Sequence, residues 1–513
     1  MLGKKLVVCA TAAIVGLMLC AASWSAVPTT PSGKVVIGST SEIIYLDPLP
    51  NTFVNDVNVL YANLYDTLFV RRADGGLGPN LAESWRLVSP TEWEFKLRRG
   101  VKFQNGEPFN AAAVKVNVDR YLQPGKFPRA PHIAKPIKSA TVVDEYTVRI
   151  ATPQPDPAFL ENTLVWLYFV PPGYYKSVGE EGTAQHPIGT GPFKFVEWVK
   201  GSHVLLDANL DYWKGRPKFK TLEIRLIPEI ATRVAALRAG EIDIAMQLTP
   251  DQIPAVEADR NLRASSAAIP RSIYLIIWTQ SPGQGNEPLK DQRVRQALNY
   301  AINTDSIIKN ILYGQATRIA TIVPPLAFGY DPSIRPYAYD PAKAKQLLTE
   351  AGYGKGFTVD LDVPTGGNPL KPVEVGEAIA ADLARVGITA HLRTLEAASY
   401  ITFRNERKVA PIFLWNWNGF DAHIMLWGNA HPDFPFSFYH NPAVIKLIDE
   451  EGSMLDPQQR RPILARIQKI MVADGAFVGL YQQNEIYGVN RRIDWSAKPG
   501  GQVLLWDTGF VKQ

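Results

Sequence analysis

The amino-acid sequence predicts an α/β protein with mixed sheets and more than one domain. The chain has 513 residues, which exceeds what one hydrophobic core usually holds, and 46% of its residues are hydrophobic. Beyond Ser272, apolar strands and amphipathic helices alternate, which indicates a substantially parallel sheet covered by helices. Hairpin and strand patterns dominate before that point. Two or three domains are therefore expected.

The first half contains one regular stretch, residues 186–244, that begins with the letters HPIGTGPF. Gly189 and Gly191 flank Thr190 ahead of Pro192, a composition that permits positive φ and predicts a sharp turn into Phe193. Aromatic and β-branched runs then predict strands, and an i, i+4, i+7 apolar stripe predicts a helix. The predicted elements are the strands Phe193–Val199, His203–Asn209 and Leu222–Ile227 and a helix that ends before Gly240. Upstream of this stretch, the predicted elements are the strands Val35–Gly38, Trp93–Leu97 and Thr147–Ile150 and the helix Ala111–Leu122.

The second half shows the alternation most clearly. Its predicted strands are Ile273–Thr279, Thr358–Val363, Thr389–Leu392, Pro411–Asn416 and Phe477–Tyr481. Its predicted helices include Val373–Val386, Ala398–Glu406, Pro442–Glu451 and Gln458–Asp474. The stretch Ile486–Phe510 is predicted to be strand-like and to return to the first part of the fold, which would make the domains discontinuous in sequence.

The N-terminus predicts export. Lys4 and Lys5 precede an apolar run, and Ser23 and Ser25 are small residues suited to cleavage after position 25. Residues 1–25 are therefore predicted to be a signal peptide, and a retained membrane anchor is the alternative. Both cysteines of the chain fall inside this segment, so neither disulfides nor thiol catalysis are expected in the exported chain.

Charge and motifs limit the classes of function. The chain carries 54 Lys and Arg against 49 Asp and Glu, without long basic runs, so no nucleic-acid partner is predicted. No nucleophile elbow, phosphate loop or dinucleotide fingerprint is present, so an enzyme is not predicted, and a secreted hydrolase is the alternative of another class. His423, His431 and His440 have spacings that match no metal motif, and no metal site or cofactor is predicted.

Several sequence blocks resemble the solute-binding proteins of peptide and nickel ABC importers, known as family 5. These blocks are NLAESW at 80–85, LRRGVKFQNGEPFNAAAV at 97–114, HPIGTGPF at 186–193, YWKGRPK at 212–218, ALRAGEIDI at 236–244, RVRQALNYAI at 293–302 and YDPAKAKQLLTEAGY at 339–353. The resemblance implies a two-lobed periplasmic binding protein of the class II Venus-flytrap type, with an extra third subdomain. It also implies capture of a small-molecule solute and delivery to an ABC permease in the inner membrane, by a monomer in the periplasm.

The same resemblance implies a division of the chain. The first lobe would comprise residues 26–57, 186–271 and 485–513. The extra subdomain would comprise residues 58–185, and the second lobe residues 272–484.

The resemblance extends to dipeptide receptors of this family, which hold their ligand with an Arg, a nearby Tyr and an Asp. Alignment without gaps places Gly366 at the Arg, Asn368 at the Tyr and Gly419 at the Asp, so all three differ here. Asp421 lies two residues after Gly419 and could substitute for the Asp if the loop is rearranged. The solute is therefore open: a peptide, an opine, a sugar or a chelate, with a nickel- or metal-chelate receptor as the alternative within the family.

An aromatic and amide-rich segment occupies the region where relatives contact the solute. It comprises Trp415, Asn416, Trp417, Asn418, Phe420, Trp427 and Asn429. Ring faces and amides suit a neutral or zwitterionic solute. The alternative is that these residues pack the core, since Trp415 and Trp417 point to the same side of one strand. We therefore predict that Trp417 and Asn418 contact the solute, and we rank Trp415 below them as a candidate.

Three further residues complete the predicted site. Tyr45 and Asp47 follow the first strand, where the first lobe of the family reaches the solute, although Asp47-Pro48 is equally typical of a simple turn. Trp278 stands where many relatives have an Asn, which the resemblance associates with altered specificity.

Overall fold

The computed structural model describes residues 30–49, 55–123, 135–281, 283 and 285–511, without the side chains of residues 55–57. The predicted signal peptide lies outside the described residues. No helix in the described part of the chain combines the length and the apolar character needed to cross a membrane.

The described residues form strands and helices in the order that the sequence patterns predict. The strands are β1 Lys34–Ser39, β2 Phe69–Arg71, β3 Leu77–Pro79, β4 Ala82–Ser89, β5 Glu92–Leu97, β6 Ser139–Asp144, β7 Thr147–Ala151, β8 Phe193–Val199, β9 His203–Ala208, β10 Thr221–Leu226, β11 Ile244–Ala245, β12 Leu262–Ile277, β13 Ala316–Arg318, β14 Phe357–Pro364, β15 Ile388–Leu395, β16 Ile412–Asn418 and β17 Phe477–Asn490. The α-helices are α1 Asn55–Leu64, α2 Ala111–Tyr121, α3 Phe159–Asn162, α4 Pro172–Gln185, α5 Ile230–Arg238, α6 Ile253–Glu257, α7 Asn286–Leu289, α8 Gln292–Ala301, α9 Thr304–Asn310, α10 Pro341–Glu350, α11 Pro372–Ala384, α12 Ala397–Asn405, α13 Ala422–Ala430, α14 Pro442–Gly452 and α15 Pro457–Ala473.

Two long strands, β12 and β17, run through both halves of the molecule. The main sheet has the order β15-β14-β16-β12-β17-β11-β1-β10-β9-β8, so these two strands lie at its centre. They pair antiparallel along nearly their full length, with a register shift between Ala268 and Ser272. Pro270 lies in this shift and donates no backbone hydrogen bond. We propose that this shift marks the hinge between the two lobes.

The extra subdomain is an antiparallel structure of its own. Its four-stranded sheet has the order β4-β5-β7-β6, and β2 and β3 form a separate hairpin. Helix α2 begins at Asn110, whose side chain accepts a hydrogen bond from the Ala113 amide at 3.1 Å and so caps the helix. The buried face of α2 packs into the same hydrophobic core as Phe95 and Val148.

Separate hydrophobic clusters support a three-part division of the chain. One cluster contains β1, β8, β9 and β10, another fills the extra subdomain, and two more cover the opposite faces of the second-lobe strands. We propose the predicted division with one change. Because Val59, Leu60 and Tyr61 pack into the first-lobe cluster, helix α1 belongs to the first lobe rather than to the extra subdomain.

The C-terminal stretch differs from its prediction. Strand β17 is longer than predicted and continues to Asn490, but the residues after it form no further long strand. Gly500 and Gly501 have positive φ and interrupt the extended backbone. Trp495 and Leu505 nevertheless pack into the same cluster as residues of β1, β8, β9 and β10, which supports our proposal that this stretch belongs to the first lobe.

The glycine turn before β8 has a different physical basis from the predicted one. Neither Gly189 nor Gly191 uses the positive φ that glycine permits. A Cβ atom at Gly191 would lie 2.5 Å from the carbonyl carbon of Leu64 and 2.7 Å from the amide nitrogen of Tyr65. Glycine is required here because two backbone segments approach each other closely.

Candidate functional site

Polar side chains converge at the hinge, where β12 and β17 cross between the lobes. We call Arg271, Asn368, Asn416 and Gln483 the hinge cluster. The Asn368 Oδ1 accepts hydrogen bonds from Arg271 Nη1 at 2.6 Å and from Gln483 Nε2 at 3.4 Å. The Asn368 carbonyl accepts a third from Asn416 Nδ2 at 3.2 Å. Asn368, predicted as a site residue, is therefore the centre of this cluster.

Strand register explains why these residues meet. In the antiparallel pair β12–β16, Arg271 lies opposite Asn418 and Ile273 lies opposite Asn416. Side chains alternate between the two faces of a strand, so all of these residues share one face. Asn418 is exposed and Asn416 is half-buried. The amide-rich end of β16 is thus placed beside Arg271 at the hinge.

Arg271 is almost completely buried at this position. Its residue exposure is 6%, and its Nε atom is buried without a hydrogen-bond partner. Burial lowers the pKa of Arg271, and the negative charge of Glu485 opposes that effect. The hinge therefore holds a desolvated positive charge.

The two predicted tryptophans of β16 lie on the opposite face of the strand. Trp417 is half-buried, and its ring centroid lies 5.6 Å from that of Phe434. Trp415 lies under the guanidinium of Arg404, 4.1 Å from the Arg404 Cζ to the ring centroid. Trp415 therefore packs the second-lobe core, whereas Trp417 stands nearer to the open end of the strand.

The other residues of the aromatic segment have structural partners. Asn429 is buried and accepts a hydrogen bond from the Tyr274 hydroxyl at 2.8 Å. Trp427 stacks on His431 within the second lobe. Phe420 lies beneath Arg71, with 3.7 Å from the Arg71 Cζ to the ring centroid, and so joins the second lobe to the extra subdomain.

Asp421 does not replace the missing ligand-binding Asp. Its two carboxylate oxygens accept hydrogen bonds from Arg460 Nη2 at 2.7 Å and Nη1 at 3.0 Å, and Oδ1 also caps α13 through the His423 amide at 2.8 Å. The residue is 1% exposed. Since both oxygens already have strong partners, we assign Asp421 to the structure of the second lobe instead of the site.

Asp47, which we predicted as a solute contact, also has a buried structural partner, so we no longer place it in the site. Its carboxylate forms a buried ion pair with Arg120 of α2, which also contacts Glu180. The Oδ1 atom further accepts the Leu49 amide at 3.1 Å, in the turn that was the alternative prediction. Burial raises the pKa of Asp47, and Arg120 opposes this rise. Tyr45 remains half-buried beside it and keeps its place in the candidate site.

Trp278 lies in the core rather than at the hinge. It is 5% exposed, and its ring packs edge-on against Phe438 with centroids 5.2 Å apart. It follows the last residue of β12, seven positions from Arg271, which corresponds to about 24 Å along a strand. We therefore assign Trp278 to core packing and no longer to the site.

The three clustered histidines each have a separate partner. His423 Nδ1 lies 2.6 Å from Glu451 Oε2, His431 Nε2 lies 3.0 Å from Asp449 Oδ1, and His440 Nε2 lies 2.8 Å from Ser437 Oγ. Across the described residues, no group of three or more His, Cys, Asp or Glu side chains could hold a metal ion.

The His423–Glu451 pair predicts a pH-dependent stability. Burial alone would lower the pKa of His423, but the hydrogen bond and charge of Glu451, with Asp421, raise it above 6.5 despite the opposing charge of Arg460. The stabilisation that the folded protein gains from protonated His423 is fully present below pH 6.5. It is lost as the pH rises through the raised pKa of His423. We expect the difference in free energy of unfolding between the wild type and His423→Gln, measured in urea, to shrink from pH 6 to pH 9. A difference that does not change with pH would contradict this account.

Direct contacts join the lobes on both sides of the hinge. Lys371, at the start of α11 in the second lobe, lies 3.1 Å from Asp251 in the first lobe. Arg460 Nη1 donates to the Pro157 carbonyl of the extra subdomain at 3.3 Å. Leu370 packs against clusters of both lobes. The structure is thus that of two lobes held together around a polar hinge.

Sequence reasoning did not find Arg271 or Gln483. Arg271 is the single charged residue in the run AAIPRSIYLII at 267–277, and this isolated charge in an apolar strand was an available signal. Gln483 lies within β17, which continues to Asn490, whereas the predicted strand ended at Tyr481, two residues before Gln483.

The fold and hinge define the class of two-lobed solute-binding receptors. The profile of "Bacterial extracellular solute-binding proteins, family 5 Middle" matches residues 76–442, so the chain belongs to this family. It is a solute-binding protein of an ABC importer, as the sequence blocks predicted.

Three relatives illustrate the match. The glutathione-binding protein GsiB of Salmonella choleraesuis is 29% identical over 510 residues, which covers 96% of each chain. The periplasmic binding protein DppA of Helicobacter pylori, solved in complex with the peptide STSA, has a TM-score of 0.74 and 26% identity over 94% of this chain and 98% of its own. NikA of Brucella suis, solved with Fe(III)-EDTA, has a TM-score of 0.81 and 25% identity over 94% of this chain and 100% of its own. The two-lobed fold is therefore confirmed.

Proposed function

We propose that the protein is the periplasmic receptor that captures a small, polar organic solute at the hinge cluster and delivers it, as a monomer, to an inner-membrane permease. The solute class is peptide-like, which includes glutathione-like conjugates and opines. The single observation that carries this proposal is the set of convergent amide groups where the two lobes meet. Asn368 and Asn418 are exposed there, and Asn416 is half-buried beside them.

The chemistry of these groups fits a solute with several hydrogen-bonding atoms. Each Asn side chain offers donors and an acceptor, which can pair with the amide and hydroxyl groups of a peptide-like solute. Trp417 supplies an apolar surface at the end of the same strand, on its opposite face. Half-buried Tyr45 is the first-lobe residue that we place in the site. Binding sites of this kind combine a few placed polar groups with aromatic walls.

Contacts between the lobes support capture by closure. The Lys371–Asp251 ion pair and the Arg71–Phe420 contact join parts of the chain on opposite sides of the hinge. Hinge closure around a ligand is a recognised mode of domain motion, and the ligand stabilises the closed state by its preference for it. In this proposal the solute is bound and released without chemical change.

The receptor is tested by a binding screen of the purified mature chain. The panel contains glutathione, the tetrapeptide Ser-Thr-Ser-Ala, an opine, a neutral disaccharide and Fe(III)-EDTA. A ligand of the folded state raises the unfolding temperature by mass action, and titration calorimetry then gives its Kd. We expect a peptide-like compound to bind most tightly and to be recovered unchanged.

A disaccharide that ranked first would contradict the solute class, and a chelate that ranked first would support the metal-chelate alternative within the family. Multiple turnover of any panel member would identify the chain as an enzyme.

Asn418→Ala tests whether the exposed amide of β16 contacts the solute. Loss of one hydrogen bond should weaken the best panel ligand about 3- to 10-fold, because a single neutral hydrogen bond contributes about 0.5–1.5 kcal/mol. Stability should not change, since Asn418 is exposed. Asn261→Ala is the matched control, because Asn261 is also exposed but precedes β12 at the outer end of the first lobe. Equal affinities for Asn418→Ala and the control would remove Asn418 from the site.

A further inference from the structure

Arg271 differs from the other buried arginines of the described residues in the groups that surround its charge. Arg120 pairs with Asp47 and Glu180, and Arg460 pairs with Asp421 and Glu451. Apart from Arg271, three more arginines of the described chain are buried, and the cost of burying their charge is offset in other ways. Arg233 donates to backbone carbonyls, Arg295 pairs with Asp474, and Arg404 lies over the rings of Trp415, Phe436 and Phe438.

Arg271 has none of these kinds of compensation. In the part of the chain that the structure describes, no carboxylate lies within 4.0 Å of its guanidinium, and no aromatic ring lies under it. Its described hydrogen bond goes to the neutral Asn368 amide, and its Nε is buried with no partner. Glu485 acts on its charge from beyond ion-pair distance. A cation buried in this way costs free energy unless an anion pairs with it.

The position of Arg271 offers a place for that anion. The residue lies at the register shift of the hinge, on the same strand face as the amides of Asn416 and Asn418. Asn368, which covers the guanidinium, is exposed and belongs to the loop after β14, next to Gly366 and Gly367. A Cβ atom at either glycine would meet nothing within 4 Å, so there is open space beside this loop. A solute group can therefore replace Asn368 as the acceptor with little rearrangement.

We propose that Arg271 is the anion anchor of the receptor and that its guanidinium binds a carboxylate of the captured solute. This inference rests on the proposed capture at the hinge cluster. A guanidinium presents parallel N–H groups that match the two oxygens of a carboxylate, and Arg271 has its Nε free for such a pair. The site then favours small carboxylic acids over neutral compounds of the same shape, because a neutral compound leaves the buried charge unpaired.

The test compares each acid with its neutral analogue, by which we mean the compound whose carboxylates are blocked as an ester or amide while its ammonium group is kept. Glutathione is paired with its diethyl ester, and Ser-Thr-Ser-Ala is paired with its C-terminal amide. Each is titrated by calorimetry against the wild type, Arg271→Gln and Arg263→Gln. Arg263 is the matched control, since it is a partly buried arginine eight positions away on the same strand, in the first lobe.

We expect the wild type to bind the better acid at least about 30-fold more tightly than its neutral analogue, since removal of one partner of a buried charge pair costs about 2–5 kcal/mol. Arg271→Gln should lose this preference while it binds the neutral analogue as the wild type does. Arg263→Gln should keep it. Equal losses on acid and neutral analogue in Arg271→Gln, or an unchanged preference, would overturn the proposal.

A second measurement needs no ligand and separates this inference from the proposed function. Arg271→Met should leave the unfolding temperature of the ligand-free protein unchanged or raise it, because the variant removes an unpaired buried charge. A clear decrease would show that Arg271 has a structural partner and would overturn the anchor. If no panel member binds the wild type, the proposed solute class fails, whereas the stability of Arg271→Met still decides the role of this residue.

Discussion

Arg460→Met is expected to lower the free energy of unfolding by about 3–5 kcal/mol, because it leaves the buried carboxylate of Asp421 without its cation and that of Glu451 with His423 alone. Arg460 is 3% exposed, and it bridges Asp421 of the loop after β16 to Glu451 of α14, with Nε–Oε1 at 2.5 Å. Both carboxylates are at most 1% exposed. Their desolvation is unfavourable once the guanidinium is gone. Urea denaturation of the purified mature chain, followed by circular dichroism, measures the effect.

Arg461→Met is the matched control for this loss. Arg461 is the next residue on α15 and also lies over the ring of Phe328, but it is exposed and forms no ion pair among the described residues. Substitutions at such surface positions usually change stability by less than about 0.5 kcal/mol. If both variants lost stability equally, the buried network would not be the cause. Because Arg460 also donates to the Pro157 carbonyl, its loss should loosen the contact with the extra subdomain as well.

Gly191→Ala is expected to destabilise the protein by about 2–3 kcal/mol, the upper part of the range for overpacking a well-packed interior. The added Cβ would lie 2.5–2.7 Å from the carbonyl carbon of Leu64, its oxygen and the Tyr65 amide nitrogen. These are backbone atoms that cannot rotate away. The Gly191 amide also donates to the Leu64 carbonyl at 3.1 Å, so a shift would break this hydrogen bond. Equilibrium urea unfolding measures the change.

Gly366→Ala provides the comparison for Gly191→Ala. Gly366 does not have a positive φ, and a Cβ atom there would meet nothing within 4 Å. Its stability should therefore stay within about 0.5 kcal/mol of the wild type. A loss of similar size in both variants would show that glycine flexibility, not close backbone approach, accounts for the requirement at 191.

Most secondary-structure elements could be predicted because their signals are local. The helix predicted at Val373–Val386 is observed at Pro372–Ala384, and the strand predicted at Thr358–Val363 is observed at Phe357–Pro364. Periodicity of 3.6 or 2 residues is a property of a short segment, so it can be read without knowledge of the fold. The C-terminal stretch after Asn490 was mispredicted because its apolar residues serve tertiary packing without regular structure.

The candidate site was predicted only in part. Asn368, Trp417 and Asn418 lie near the hinge, whereas Asp47 and Asp421 are held in buried ion pairs and Trp278 lies in the core. A carboxylate has the same appearance in a sequence whether it faces a solute or an internal arginine. The partners that decide between these roles are 73 residues away for Asp47 and 39 residues away for Asp421.

The sequence by itself determined the family, the α/β class and the order of the elements, since each depends on local patterns and on recognisable blocks of residues. Only the tertiary structure decided which buried charges have a partner of opposite charge and that Arg271 hydrogen-bonds to the neutral Asn368 instead. Arg271 and Asn368 are 97 residues apart and meet only because β12, β16 and β17 bring their ends together at the hinge. The free energy of a buried charge depends on what lies within a few ångströms of it, and that environment exists only in the folded chain.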